Sequence, residues 1–401
     1  GRQIAERWLT EARVARETLR LALPPSRMDL GAGDVIELPG QGQEGAGRYR
    51  IDRVEQSLAQ LVDAVRIEPQ VYDTADLSED PVPIKPFVAP VPVISHFLDL
   101  PLLRGDEVPH APHIAITADP WPGAAAVFQS GVDADYMLNS LINARATVGV
   151  TKTALPAACA GVTDHGPVLE VKLISGQLET VQAQALLSGA NTAAIGDGTS
   201  GNWEIFQFAE AELIGQDTYW LRGRLRGQAG SDGLLPEVWP EGSIFVLLDR
   251  TPKQIEQSPN LRRVAQHFRI GPAGRGYDDP SYQHVEEAFD GNGLRPFSPC
   301  HLRADLQISG DAQLRWIRRT RIGGDGWEAA EVPLGEDSES YLVQVRKNGA
   351  PLRQEIVTEP SWTYSAAAQS ADGAVRPFEV RVAQLSAVYG AGLAATVVVP
   401  G

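Results

Sequence analysis

Leu169-Glu170-Val171-Lys172-Leu173 sets apolar and charged side chains in strict alternation, and Tyr219-Trp220-Leu221-Arg222-Gly223-Arg224-Leu225-Arg226 repeats the pattern with arginine as the polar partner. A period of two sends successive side chains to opposite faces of a strand, so each stretch reads as a strand with one dry face and one wet face. On that reading Arg222, Arg224 and Arg226 face water. Ile244-Phe245-Val246-Leu247-Leu248 is an unbroken apolar run between Gly242 and Asp249, the pattern of a strand buried on both faces. Around these runs, residues 94–302 carry many short strands separated by Gly, Asn and Asp turns. Only 281–289 (SYQHVEEAF) reads as a turn or two of helix, and no repeat of solenoid or propeller period is present.

The flanks differ. Residues 1–22 read as an amphipathic helix, with Ile4, Trp8, Ala12, Ala15 and Leu19 at helical spacing and Pro24-Pro25 closing it. A strand at Asp34–Leu38, a glycine turn from Gly40 to Gly47 and a returning strand at Arg48–Ile51 follow. Two more strands are expected to end near Val71-Tyr72. The stretch 79–93 (EDPVPIKPFVAPVPV) has five prolines at spacing suited to polyproline II and reads as a linker. Residues 303–401 show about seven short strands and predict a β-sandwich. The expected fold class is mainly β, with several β-domains and one N-terminal helix. The expected parts are 1–80, a linker over 81–93, a β-rich domain over 94–302 and a sandwich over 303–401.

A chain of 401 residues exceeds one ordinary core, so two to four domains are expected. The formal charge of −16 argues against non-specific nucleic-acid binding, which needs clustered cations. Most positive charge is arginine, with Lys only at Lys85, Lys152, Lys172, Lys253 and Lys347, and arginine suits protein interfaces. No eighteen-residue apolar window exists, so no membrane span is expected. Cys159 and Cys300 are expected as two buried free thiols. The chain starts at Gly1 inside a helical pattern and is expected to be a segment of something longer, uninformative about targeting.

Each constellation that chemistry would need has a plainer reading. His110 and His113 flank a proline in an extended stretch without a third ligand nearby, so no metal site is expected. Asp164-His165 lacks a nucleophile elbow and reads as a polar turn. Gly271, Gly274 and Gly276 lack the strand and helix of a phosphate cradle. Asp278, Asp279, Glu286 and Glu287 are the carboxylates on which a glycan hydrolase would draw. In an acidic chain they read as solvated. No catalytic residue, cofactor or metal is expected. Trp121, Trp220 and Trp239, near prolines, are candidate interface anchors set against the alternative of core tryptophans.

Two resemblances add to this. Trp316, Tyr341-Leu342-Val343-Gln344-Val345 and Phe378–Leu385 make residues 303–401 resemble a fibronectin type III domain, with Phe378 where that family keeps a tyrosine. That fold implies a spacer or interaction module rather than a specific function. Leu98–Leu103, Asp119–Gly123, Leu187–Asn191, Trp203–Ala209, Leu225–Gly230 and Phe245–Asp249 resemble, in order, the C-terminal half of the large baseplate protein of gene transfer agents and related siphophage-like tails. Ser231 stands where that family has threonine. Residues 26–51, with Leu30–Val35 and Arg48–Ile51, resemble the end of a tail-hub β-domain. The resemblance implies a non-catalytic structural baseplate component that connects the tail hub to tail fibres. It also implies trimeric symmetry in the full-length context, with hub, distal tail protein and fibres as partners. The implied location is the tail tip of a phage-like particle, assembled in the bacterial cytoplasm and released on lysis. The competing readings are a carbohydrate-binding adhesin at the host envelope and a cell-wall glycan hydrolase.

Overall fold

A computed structural model describes residues 2–39, 46–72, 91–324 and 332–401. The protein is mainly β, 44% strand against 10% helix. It divides into two compact units, Gly1–Phe87 and Val88–Gly401, each treated by itself below. Residues 81–90 of the proline-rich linker and 40–45 of the glycine turn lie outside the described residues.

The first unit holds a helix at Arg2–Val14 (α1) and strands at Thr18–Leu23 (β1), Val35–Leu38 (β2), Gly47–Gln56 (β3) and Gln60–Ile67 (β4). They form one antiparallel sheet in the order β1-β4-β3-β2. The helix expected over 1–22 therefore stops at Val14. Thr18–Leu23 alternates at period two, and pairing with β4 drops Leu19, Leu21 and Leu23 onto Ile51, Val62 and Ala64. Tertiary burial overrides local helix preference here. One strand, not two, follows β3, because Pro69 opens a 3-10 turn over Pro69–Tyr72.

The second unit opens with Ile94–Leu98 (β5), His113–Thr117 (β6), Ala125–Ser130 (β7) and Met137–Ile142 (β8). Val148–Thr151 (β9), Leu155–Pro156 (β10), Thr163–Asp164 (β11), Leu169–Ser175 (β12) and the short helix Ala183–Leu187 (α2) come next. Thr192–Gly196 (β13), Trp203–Gly215 (β14), Thr218–Leu225 (β15), Val238–Trp239 (β16) and Ile244–Leu247 (β17) follow. Lys253–Gln254 (β18), Gln266–Pro272 (β19) and Gln283–Glu287 (β20) complete this part. The helical turn expected at 281–289 is thus a strand. His284 to Glu287 pair along β19, and Val285 packs against the neighbouring core.

Two layers emerge. The sheets β18-β6-β5 and β20-β19-β7-β8 share a core of Phe97, Ile114, Ile116, Val127, Phe268 and Phe289. The other layer is the seven-stranded sheet β11-β15-β12-β9-β17-β13-β14, in which β14 returns to pair with β15 from Gly215↔Thr218 to Gln207↔Leu225. That pairing closes a six-stranded antiparallel barrel and leaves the barrel strands without open edges. Leu169, Val171, Phe206, Phe208, Leu221 and Phe245 fill its interior. Ala194, Ile205 and Val246 point outward onto Leu98 and Leu100. The run Ile244–Leu248 is apolar throughout because Phe245 packs inside and Val246 outside.

Seven strands follow: Cys300–Leu306 (β21), Ala312–Ile317 (β22), Tyr341–Lys347 (β23), Ala350–Val357 (β24), Ser361–Tyr364 (β25), Phe378–Ser386 (β26) and Gly390–Val399 (β27), with a helical turn at Ala366–Ala371 (α3). They form two sheets, β21-β22-β25 and β24-β23-β26-β27, around Trp316, Tyr341, Tyr364 and Phe378, a fibronectin-like arrangement. Trp316 meets Tyr341 edge-on at 5.1 Å between ring centroids. The sequence does not mark β24, because this edge strand keeps most side chains exposed and begins with Ala350-Pro351.

A polar joint fixes the sandwich to the preceding layers. Asp99, 3% exposed, accepts the backbone N–H groups of Gly291 (2.9 Å) and Asn292 (2.7 Å). Burial raises its carboxyl pKa, against the pull of those donors. Tyr389 of the sandwich donates its hydroxyl to Asn292 Oδ1 at 2.8 Å. Arg262 and Arg263 donate to the carbonyls of Val388 and Tyr389, and both guanidiniums lie over the Tyr389 ring.

Candidate binding cleft

The site begins with a correction. Arg224 and Arg226, expected on a wet face, are 1% and 0% exposed. Burial along β15 falls on Tyr219 and Leu221 and then on Arg224, so the alternation slips at Gly223, whose φ of 62° is left-handed. The buried charges are satisfied. Arg224 donates to Asp164 Oδ2 (2.9 Å) and to the Pro167 carbonyl (2.8 Å). Arg226 grips Glu204 bidentately at 2.5 and 2.8 Å and donates to the Pro156 carbonyl. Glu204 also accepts the Trp239 indole N–H at 2.6 Å. Asp164 is thereby consumed in ion pairs that, with its other hydrogen bonds, lower its pKa against the effect of burial.

This network holds the loop after β15 in place. Gly227, Ala229 and Gly230 are all left-handed there, and a Cβ on Gly230 would lie 2.2 Å from the Phe297 ring. Ser231, fully buried, accepts the Ile205 N–H at 2.9 Å and donates to the Gln228 carbonyl at 2.8 Å. A threonine hydroxyl would do the same.

The loop forms one wall of a cleft of about 1020 Å³ between the barrel and the C-terminal sandwich. Five of the six central segments singled out by sequence contribute: Leu102 and Leu103, Leu187 to Gly189, Ile205 and Gln207, Gln228 to Gly230, and Leu248. Asp119–Gly123 does not. Arg104 enters from the first layer, and Arg318, Arg319 and Arg321 from the sandwich. Among the described residues none of those lining the cleft is acidic; residues 325–331, between the lining Gly324 and Val332, lie outside the described residues. Arg319 binds both Asp232 oxygens at 2.8 Å, and Arg321 reaches Glu336 at 3.2 Å. Arg104 and Arg318 donate instead to the backbone carbonyls of Asp249, Pro333 and Val332. The Arg104 backbone N–H donates to the Glu107 carboxylate at 3.0 Å. These arginines were missed in the sequence, where the only sign of them is the cationic run Arg318-Arg319-Thr320-Arg321 in an acidic chain.

The other candidates fall elsewhere. Trp121 is half-buried against the first-layer core. Trp220, also half-buried, donates to Glu170 at 3.1 Å under the Arg222 guanidinium. Trp239 is 3% exposed in the barrel core, so it is not available as an interface anchor. His110 is tied to the Gln257 carbonyl, while His113 is half-buried, its ring's desolvation pushing its pKa down to about 4, with its Nδ1 without a partner among the described residues. Among the described residues no group of three or more His, Cys, Asp or Glu is placed to hold a metal ion. Glu286 and Glu287 are neighbours on β20 and so point to opposite faces, Glu287 accepting from Ser200. Asp279 caps its own turn through Ser281. The cysteines are both free, but Cys159 is exposed and Cys300 half-buried, which corrects the expectation of two buried thiols. Each sits near a chain turn or strand start where packing is thin.

No described helix is long and apolar enough to cross a membrane. Residues 1–54 match the family model described as "Putative phage tail protein", and residues 146–246, which include most of the barrel, match one described as "Rcc01698-like, C-terminal". No curated protein matches the chain. Among solved structures, the central fibronectin-III array of RIM-binding protein aligns at 13% identity and a TM-score of 0.16, over 63% of this chain and 69% of that one. The Endo-D glycoside hydrolase domain Spr0440 from Streptococcus pneumoniae R6 aligns at 14% identity and a TM-score of 0.16, over 58% of this chain and 31% of that one. At such scores neither likeness carries an argument about fold or activity. The match over residues 1–54 supports a structural role in a phage tail.

Proposed function

We propose that this chain is a non-catalytic component of a phage-like tail baseplate that connects the tail hub to tail fibres. The observation that carries the reading is the phage-tail match over residues 1–54, followed in order by the second match over the barrel. The architecture agrees with it: a closed barrel, a sandwich and a polar joint are rigid parts suited to holding partners at fixed angles. Of the carboxylates suggested for glycan hydrolysis, Asp279 is held by its own turn and Glu286 and Glu287 diverge, while Asp164, weighed separately as half of a dyad, is locked by two arginines; these placements favour a structural role. Gene transfer agent particles, trimeric symmetry and the hub and distal tail protein as neighbours belong to the same proposal.

The test is affinity capture of the chain from particle-producing cells, paired with immunogold labelling of released particles. Recovery of tail and fibre proteins with label at the tail tip is the expected result. Unlabelled tails and no tail protein recovered would overturn it, and envelope glycan in the eluate would point to the adhesin instead.

A further inference from the structure

We propose that His267 and His284, on the outer face of the first layer, form a pH switch. Near neutrality they share one hydrogen bond, and on acidification they exchange it for two separate carboxylate partners. The inference is independent of the tail-connector reading. Alternation places both rings on one face. Phe268 and Ile270 of β19 are buried in the first-layer core, so His267 and Arg269 point the other way. In β20, Val285 packs on that core while His284 and Glu286 are exposed. The strands run antiparallel with Arg269 opposite His284 and Glu286 opposite His267, which makes the two histidines diagonal neighbours. His267 Nδ1 lies 3.1 Å from His284 Nε2. The ring centroids are 5.3 Å apart and the planes differ by 10°. The centroid separation exceeds the N···N distance by about two ring radii, so the rings meet end to end and near coplanar instead of face to face. That is the geometry of an in-line N–H···N bond, for which one ring must be neutral and supply its lone pair. A metal ion does not fit between them, because two in-line nitrogens at ~2.0–2.1 Å from zinc would stand about 4 Å apart.

The charged groups around the pair are Arg269 on β19, Glu286 on β20 and Asp133 in the turn after β7. From β7, the residues opposite Arg269 and His267 are Phe128 and Ser130, both uncharged. Glu287 points to the other face, onto Ser200. Asp133 Oδ1 accepts from Tyr136 (2.5 Å) and Arg269 (2.9 Å) and stands 3.8 Å from His284 Nε2. The Tyr136 hydroxyl and then Arg269 hold the Asp133 pKa down to about 2, so it is an anion throughout the range in which histidines titrate. Once both rings are protonated neither keeps a lone pair, and the shared bond gives way to repulsion between two cations. Arg269 adds to that repulsion, while the two carboxylates offset it. His284 then turns to Asp133, and His267 to Glu286 across the strands. The bonded state holds at least one proton fewer than the exchanged state. It therefore prevails above the histidine range and is lost as pH falls through it.

The experiment is nuclear magnetic resonance on the full chain with nitrogen-15 in its histidine rings, titrated from about pH 8 to about pH 5. A chelator in every sample keeps stray metal out of the readout. A nitrogen–nitrogen coupling across the hydrogen bond, between His267 Nδ1 and His284 Nε2, is expected at the upper end. It should vanish towards the lower end, with the two rings titrating as a coupled pair. His284→Gln abolishes the coupling and leaves His267 to titrate as a single group. Glu286→Gln, at an exposed position, keeps the coupling but moves its loss to lower pH by a fraction of a unit, since the second imidazolium has lost its acceptor. Absence of the coupling at about pH 8, its persistence at about pH 5, or an unchanged midpoint in Glu286→Gln overturns the proposal.

Discussion

Gly230 sits at φ 77°, and a Cβ there would lie 2.2 Å from the Phe297 ring. Two penalties therefore combine in Gly230→Ala, the left-handed backbone and a clash with an aromatic wedged at the joint. A loss of roughly 2–4 kcal/mol is expected. Gly242, at φ 86° with nothing within 4 Å of a Cβ, isolates the first penalty, and Gly242→Ala should lose only about 1–2 kcal/mol. Urea midpoints of the two variants check the difference, and equal losses would remove the role given to Phe297. His113 makes a second residue-scale prediction. Burial holds its pKa near about 4, below the ordinary value of 6.5. The unfolded chain thus binds a proton that the folded chain refuses as pH falls from 6.5 to about 4. Stability is flat above that window and declines within it, by at most about 1.4 kcal/mol per pH unit. His113→Gln should flatten that part of the acid limb in urea titrations at several pH values. An unchanged slope would place the acid sensitivity elsewhere.

At the scale of elements, β14 and β15 are joined by backbone pairing and by the buried Arg226–Glu204 pair, both side chains 0% exposed. Arg226→Leu strands Glu204 in the core with only Trp239 and Gly227 as donors. A destabilisation of about 3–5 kcal/mol is expected. Adding Glu204→Leu removes the stranded charge, so the double variant should be more stable than Arg226→Leu alone. Denaturation of the four corners of that cycle measures it, and strict additivity would mean the pair is not coupled. The same network shows where sequence reading ends. Ile244–Leu248 was legible because burial on both faces leaves no polar residue to mislead. Leu169–Leu173 was legible because β12 keeps Lys172 wet. Arg224 and Arg226 were not, because one left-handed glycine moved the burial register and no local pattern reveals the acids that meet them, Asp164 60 residues from Arg224 and Glu204 22 residues from Arg226. Residues 1–22 and 281–289 read as helix from local spacing alone because the partners that make strands of Thr18–Leu23 and Gln283–Glu287, β4 and β19, are supplied by distant chain. Barrel closure is a pairing of pairings, and alternation within single strands carries no sign of it.

Over the second unit as a whole, the question is whether barrel and sandwich act as one body. The candidate cleft depends on it, because Arg104 comes from one side of the joint and Arg318 from the other. The joint is polar and centred on Tyr389, whose hydroxyl meets Asn292 and whose ring lies under Arg262 and Arg263. Asn292 is in turn anchored on Asp99, which closes the first strand of the layer on the far side. Fibronectin-like sandwiches carry their own cores, here thirteen buried residues around Trp316 and Tyr341, so the sandwich keeps its fold when the joint is cut. Coupling should therefore be separable from folding. In calorimetry the parent is expected to melt residues 88–401 as one transition. Arg262→Ala, Arg263→Ala and Tyr389→Phe together should split it into two, with near-native far-UV circular dichroism before either. Retention of a single transition at the parent midpoint would mean that apolar contacts, such as Leu393 against Gly233, bind the layers without the polar joint. Two transitions in the parent would mean that the barrel and the sandwich do not act as one body.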